Sequence, residues 1–396
     1  MNENIEMLLL AKKIRYEYLD ELIKETNFTS KKDKSPNNTI NIFIDLYDVI
    51  KQLYKPDIVE SINSINVTDK QDIASEIINM IGHYRHYFFS RHWKYTTFYL
   101  IYSNKRSKYH TELYPEYRHD FYMKRLREPK SNKFLPQYDI MNTMLESVIK
   151  IIRGFVQYIP HVYFIDSGDV DYTLIPYIIT QTNMHEYDRV VNGEKEKIYD
   201  PADPSIIISN DTIFYQDLVS ANVTNIAQLL CKNKNSELLL YTDIYDYMTK
   251  GLKKKPDISY SIDLLTVVQA FMGYDKYNIP KVNKMGIGRA MNFVEKNLFS
   301  TGILPDIIYT SESLFKEYLY TSKIKDEYKE QALLNFKLLS HDSMEYNNAF
   351  TKTDIIKIVN QCKIELVDAK AVRKNNEKFF YNNPINTEFC YDGEAY

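Results

Sequence analysis

Aspartates close three of the β-rich apolar runs in this sequence. Asp45 ends "NIFID", Asp166, Asp169 and Asp171 follow "HVYFI", and Asp211 ends "SIIISND". Functional groups of open parallel sheets gather beyond the carboxyl ends of the strands, so aspartates at those positions converge on one rim. Converging carboxylates repel one another unless a cation neutralises them, and hard oxygen donors suit Mg2+ or Mn2+. An ion held this way generates hydroxide and clamps a phosphate; a pair of ions clamps both the attacking and the leaving oxygen. Read singly, each aspartate equally caps the helix after its strand. Their recurrence at three strand ends points to a metal site.

The elements that must carry these residues alternate. "TINIFIDLYDVI" opens as a continuous apolar run, the mark of a strand buried on both faces, and passes into a helix. Residues 72–92 read as a helix, "KYTTFYLIYS" as a strand, 138–157 as a helix and "HVYFID" as a third strand. "DYTLIPYIIT" reads as a helix and "PSIIISND" as a fourth strand. Strands alternating with helices predict an α/β fold with a mainly parallel central sheet flanked by helices. Beyond residue 260 the pattern is mostly helical to about residue 365. The expected division is an N-terminal helix and linker over 1–39, an α/β domain over 40–250 with an insertion near 104–135, a helical region over 251–365, and a tail over 366–396.

Composition narrows the classes. The formal net charge of -3 excludes a uniformly basic coat protein, so a nucleic-acid site must come from local basic clusters. Cys231, Cys362 and Cys390 are scattered, with no CxxC pair, which predicts neither a structural zinc site nor a disulfide framework. His83, His86 and His92 lack a fourth ligand nearby and read as ordinary surface or core-edge histidines. The N-terminal "MNENIEMLLLAKKI" is not expected to act as a signal peptide. No run reaches the roughly 20 apolar residues that cross a bilayer, so a membrane partner is not expected and a cytoplasmic location is. The Asn, Lys, Ile and Tyr richness fits an AT-rich genome and a viral or phage origin, hence a host-cytoplasm setting.

Five blocks, in order, resemble the 5′ nucleases of the flap endonuclease and phage-type 5′–3′ exonuclease group. "FIDLYDVI" resembles that family's first aspartate block and "YSNKRSKYHTELYPEYRHDF" the block that opens its helical arch. "GDVDYTLIPYI" resembles the E-A-D/E block, and "SIIISNDTIFYQDL" resembles S-x-D-x-D-x-x-Q-L at Ser209, Asp211 and Gln216. "GYDKYNIPKVNKMGIGRA" resembles G-D-x-x-D-N-I-P-G-V-x-G-I-G, keeping Gly273, Asn278, Ile279, Pro280, Gly286, Ile287 and Gly288. The resemblance covers about residues 40–300. It implies a PIN-like fold with a helical arch and a helix-turn-helix of the H3TH type. It also implies Asp45, Asp169, Asp171 and Asp211 as catalytic metal ligands.

The departures fall on acidic positions. Ser103 replaces the arch aspartate and His110 the arch arginine. Ile213 replaces the second aspartate of the fourth block, and Tyr274 and Tyr277 replace the carboxylates of the last. Isoleucine offers no ligand, and a phenol with an ordinary pKa of about 10 is a poor one. The retained aspartates therefore imply one Mg2+ or Mn2+ site and the loss of a second. Losing one cation removes several kcal/mol from a developing phosphoryl charge, and each ~1.4 kcal/mol is tenfold in rate. Two readings follow: a weakened metal-dependent 5′ nuclease, or an inactive nuclease-derived DNA-binding or scaffold protein.

Two regions read as nucleic-acid contacts. At the glycine turn, Gly286, Ile287 and Gly288 allow close backbone approach to a phosphate, with Lys284 and Arg289 supplying charge; the resemblance adds a monovalent cation there. In the arch, Lys105, Arg118 and Arg125 are interleaved with aromatics such as Tyr117, a composition suited to single strands. The expected partner is branched or 5′-ended duplex DNA, with RNA as the alternative and a viral or replication-complex protein as a further partner.

Overall fold

The computed structural model describes residues 39–53, 67–90, 95–102, 106–118, 135–156, 161–166, 184–191, 194–201, 205–219, 226–231, 236–239, 241–250, 264–298, 312–322 and 324–341, with single residues 159, 175 and 252. The expected N-terminal helix, most of the arch insertion, Asp169, Asp171 and the tail lie outside the described residues.

Six strands form one sheet in the order β3-β2-β1-β6-β7-β8. They are β1 (Thr39–Asp45), β2 (Tyr95–Tyr102), β3 (Val162–Asp166), β6 (Ser205–Ile208), β7 (Ile226–Cys231) and β8 (Ser236–Leu239). All pairings are parallel except β7 with β8. β4 (Met184–Val191) and β5 (Glu194–Pro201) form a separate antiparallel hairpin, which the alternation of strands and helices did not foresee. Its connecting sequence carries Asn192-Gly193, the dipeptide most favoured in two-residue hairpins.

The strands are apolar on both faces because the sheet is covered on both. Ile42 and Ile44 of β1, Phe98 and Leu100 of β2 and Ile206 and Ile208 of β6 pack in one cluster. That cluster is completed by α1 (Leu46–Leu53), α2 (Val67–Ser90) and α4 (Leu135–Val156). Phe43, Tyr99, Ile101 and Ile207 alternate to the other face. There they meet α5 (Tyr215–Val219), α6 (Tyr241–Thr249), α7 (Leu265–Met272), α8 (Ile287–Leu298), α9 (Glu312–Thr321) and α10 (Asp326–Leu339). Helix α3 (Lys108–Leu113) follows β2 and is capped by Ser107, whose hydroxyl accepts the His110 N–H. No described helix is long and apolar enough to cross a membrane.

From β1 the chain builds outward through β2 and β3, then returns to place β6 on the opposite side. The order therefore reverses between β1 and β6. Such a switch point leaves a crevice at the carboxyl ends of the strands. Asp45 and the segment 209–211 stand there.

The turn after α7 closes over this rim. Gly273 ends α7 with φ at 65°, and a Cβ on it would lie 2.6 Å from the carbonyls of Ile279 and Pro280. Tyr274 and Ile279 exchange backbone hydrogen bonds of 2.9 and 3.1 Å, and Asn278 takes the left-handed conformation that lets the turn fold back. Asn335 of α10 donates to the carbonyls of Ala270 and Pro280, both at 2.8 Å, fixing the turn from behind. Gly273→Ala combines a disfavoured φ with a backbone clash, so it should cost more than about 2 kcal/mol, read by urea unfolding with unchanged m-value.

Candidate functional site

At the switch point the chain lays out a fixed polar ladder. Asp45 Oδ1 accepts the Asp48 N–H at 3.2 Å, capping α1, while Oδ2 accepts the Ser209 hydroxyl at 3.0 Å. Ser209 Oγ accepts the Asp211 N–H at 3.1 Å, and Asp48 Oδ2 accepts the Asn210 N–H at 2.7 Å. Gln228 of β7 donates to the carbonyls of Ser209 (2.7 Å) and Asp211 (2.9 Å), so the loop after β6 is held from both sides. Asp45, Asp48, Ser209 and Asp211 are all buried.

Asp211 is the most heavily engaged of these groups. Its Oδ1 accepts the Ile213 N–H at 3.1 Å and the Tyr274 hydroxyl. Its Oδ2 accepts the Tyr277 hydroxyl at 2.8 Å and the Lys276 ammonium at 2.5 Å. The donors Tyr274, Lys276 and Tyr277 come from one short 3-10 turn, Asp275–Tyr277, and its leading residue. The two phenol rings meet edge to face, with centroids 4.8 Å apart. Thr212 donates to the Tyr274 oxygen at 3.1 Å, which directs that hydroxyl's own proton to Asp211.

The electrostatics follow from burial and from Lys276. Asp45 is pushed up to about 7, first by burial and then by the Asp48 charge, with Lys276 acting against both. Burial also tends to raise Asp211. The charge and hydrogen bond of Lys276, with those of Tyr274 and the Ile213 N–H, outweigh it and hold the carboxyl below its ordinary value. Burial alone would lower Lys276, yet the charges of Asp211, Asp48 and Asp45 raise it. Tyr274 is driven well above the usual phenol range by burial and by Asp211, so it stays a neutral donor. At the rim the Asp211 anion is thus matched by a built-in cation, Lys276, which the Asp48 charge also favours.

Of the sequence-expected metal ligands, Asp45 and Asp211 come together through Ser209, while Asp169 and Asp171 lie outside the described residues. Among the described residues no three of His, Cys, Asp and Glu are disposed to hold a metal ion. Ile213, where the resemblance expects a carboxylate, is buried in the core. Lys276 and Asp48 are the participants that sequence reasoning missed. The signal for Lys276 was present: in "GYDKYNIP" a lysine lies between two tyrosines that stand where the resemblance expects acids. Gln216 is a packing residue; its amide donates to Gln269 Oε1 (2.5 Å) and the Leu339 carbonyl (2.9 Å), tying α5 to α7 and α10.

The arch-side expectation needs correction at two residues. Tyr117 and Arg118 are fully buried and present no surface to a nucleic acid. Tyr117 stacks on His110 at 4.5 Å and meets Tyr277 edge-on at 5.6 Å. Arg118 places its guanidinium 5.0 Å from the Tyr277 ring centroid, and its backbone N–H donates to the Tyr277 carbonyl at 2.6 Å. The aromatic and cationic pairing that suggested stacking on bases is spent on the chain's own tyrosine. Lys105 and Arg125 lie outside the described residues.

At the glycine turn, Lys284, Gly286 and Arg289 are exposed, and Ile287 and Gly288 are half-buried. Lys281 is exposed and paired with Asp275 at 2.5 Å. A Cβ at Gly286 would meet nothing within 4 Å, and one at Gly288 would make ordinary contacts at 3.7 and 3.8 Å. Neither glycine is required by the packing of the turn. Helix α8 begins at Ile287, and its first N–H groups have no partner within the helix.

No family model matches this sequence, and no curated protein matches it. In fold the chain is similar to solved 5′ nuclease structures. One is the T5 5′-exonuclease with bound zinc, at a TM-score of 0.46 and 13% identity over 87% of this chain and 99% of that chain. A second is the bacteriophage T5 flap endonuclease in a pseudo-enzyme-product complex with DNA and metal ions, at 0.45 and 14%, over 87% and 99%. A third is a T5 protein co-crystallised with metal ions, at 0.45 and 14%, over 87% and 98%.

The raised Asp45 has a signed consequence for stability. The folded protein holds this proton up to about pH 7 and the unfolded chain releases it near pH 4. Asp45 therefore subtracts stability progressively as pH rises from about 4 to 7, to a limit on the order of 4 kcal/mol. Asp45→Asn removes that titration. The stability of the variant relative to wild type should rise across this window and level off above it, as measured by urea unfolding at a series of pH values.

Proposed function

We propose that this chain is a divergent 5′-nuclease-type protein that holds nucleic acid, and that its hydrolytic centre is silenced or severely weakened. The observation that carries the reading is the saturation of Asp211. A carboxylate offers about four lone-pair positions, and Asp211 gives them to Ile213, Tyr274, Tyr277 and Lys276. The rim where a phosphodiester would meet an ion is engaged by the chain itself.

Gripping is supported by the opposite character of the glycine turn. Its basic side chains Lys284 and Arg289 are exposed, and its glycines answer no internal packing need. Bare backbone at a helix start favours an anion, and contacts of this kind position a duplex by its phosphates without reading sequence. Duplex DNA with a 5′ end or branch is the partner this reading favours. A replication or viral assembly is the setting it suggests.

The weakened-hydrolase reading retains one supporting observation: Asp45 remains at the switch point with no cationic side chain in hydrogen-bond contact among the contacts described for it. A flap substrate labelled at its 5′ end separates the two readings. The expected result is salt-dependent binding with no cleavage in Mg2+ or Mn2+. Lys284→Ala should weaken binding and lower the slope of log K against log salt by about 1. Gly286→Val should weaken binding while leaving thermal stability unchanged. Cleavage that disappears in Asp45→Ala would establish the hydrolase instead, and no binding at low salt would remove the nucleic-acid reading.

A further inference from the structure

Three family acids are missing at this rim, and each missing position has a separate occupant: Ile213 in the core, Tyr274 and Tyr277 on Asp211. The residue that makes sense of all three is one the resemblance does not mark. Lys276 reaches Asp211 at 2.5 Å from between the two tyrosines, and the charges of Asp48 and Asp45 act on it as well. Its side chain is about a quarter exposed while that of Asp211 is fully buried, at 28% and 0%. A divalent ion at Asp211 would need lone pairs that four donors already use, and it would face an ammonium at contact distance. The described residues therefore do not fit a divalent ion at this carboxylate.

We propose that the Lys276 ammonium is a tethered cation that replaces a divalent metal at the carboxylate rim. A tethered cation differs from a bound one in three ways. It is not removed by chelation. It carries one charge rather than two, which suits a site that has lost acids. It also fastens the turn to the sheet, because the same short segment continues through Asn278 and Pro280 into the glycine turn. The two phenols donate to lone pairs of Asp211 that the ammonium leaves open. The inference is independent of nucleic-acid binding, because its readout needs no nucleic acid.

The test is a Mg2+ titration of the full chain, followed through the amide signal of Ile213, whose N–H donates to Asp211. In wild type this signal should not move through millimolar Mg2+, and EDTA should leave the thermal midpoint unchanged. In Lys276→Met the signal should move saturably, with an apparent affinity at least about tenfold tighter than any in wild type, the response to lifting one unit charge from beside a divalent ion. A saturable shift in wild type would overturn the proposal, as would a folded Lys276→Met whose Ile213 signal ignores Mg2+. If Lys276→Met does not fold, the wild-type titration decides alone.

Discussion

A fully buried carboxylate either keeps its proton, as Asp45 does up to about pH 7, or finds its counter-charge inside the protein. Leaving it unpaired costs several kcal/mol, and a pair broken on one side typically costs about 3–5 kcal/mol. Asp211 is such a group, and the architecture around it reads as the answer to that constraint. The loop after β6 holds it through Ser209 and Gln228, and the turn after α7 brings a cation and two neutral donors onto it. Gly273 and Asn278 supply the two unusual backbone conformations that let this turn fold back. Tyr117 and Arg118 then pack on Tyr277 from outside. This charge thereby joins the apolar cluster and the Gln216 bonds in linking the parallel sheet to the helical region beyond it.

Four of the six strands of the sheet, β1, β2, β3 and β6, were legible in the sequence as apolar, β-rich runs, whereas β7 and β8 were not read as strands. Asp45 and the Asp211 loop meet because β1 and β6 are neighbours at the switch point, a consequence of topology that strand-end reading anticipates. The hairpin β4–β5 escaped notice because charged residues are interspersed through both strands and no clean apolar alternation emerges; only Asn192-Gly193 marked it. Tyr117 and Arg118 were misread for a physical reason. A guanidinium and a ring pair equally well with a base or with another side chain, and composition cannot distinguish the two. With 35 tyrosines in the chain, an internal partner was always available.

Lys276 was overlooked because resemblance directs attention to what replaces an acid, not to the neighbour that answers the replacement. Where the resemblance expects two carboxylates this sequence has the phenols Tyr274 and Tyr277, which bring no negative charge, and Lys276 between them adds a positive one. Both features act in the same direction: the rim carries fewer acids than the resemblance expects and has its own cation at Asp211. Asp45 is the residue left behind. It stays buried with its ordinary acidity suppressed, and the hydroxyl of Ser209 and the Asp48 N–H are its described hydrogen-bond donors. The glycine turn, by contrast, keeps exposed basic side chains at Lys284 and Arg289 beside the start of α8.

The central claim is that Asp211 and Lys276 form an energetically coupled pair rather than a chance contact. A double-mutant cycle of Asp211→Asn, Lys276→Met and the combined variant, read by urea unfolding at neutral pH, measures that coupling directly. The account predicts that each single change is strongly destabilising, and that the combined change costs less than their sum by about 2 kcal/mol or more. Additive losses, with coupling within about 0.5 kcal/mol of zero, would contradict it.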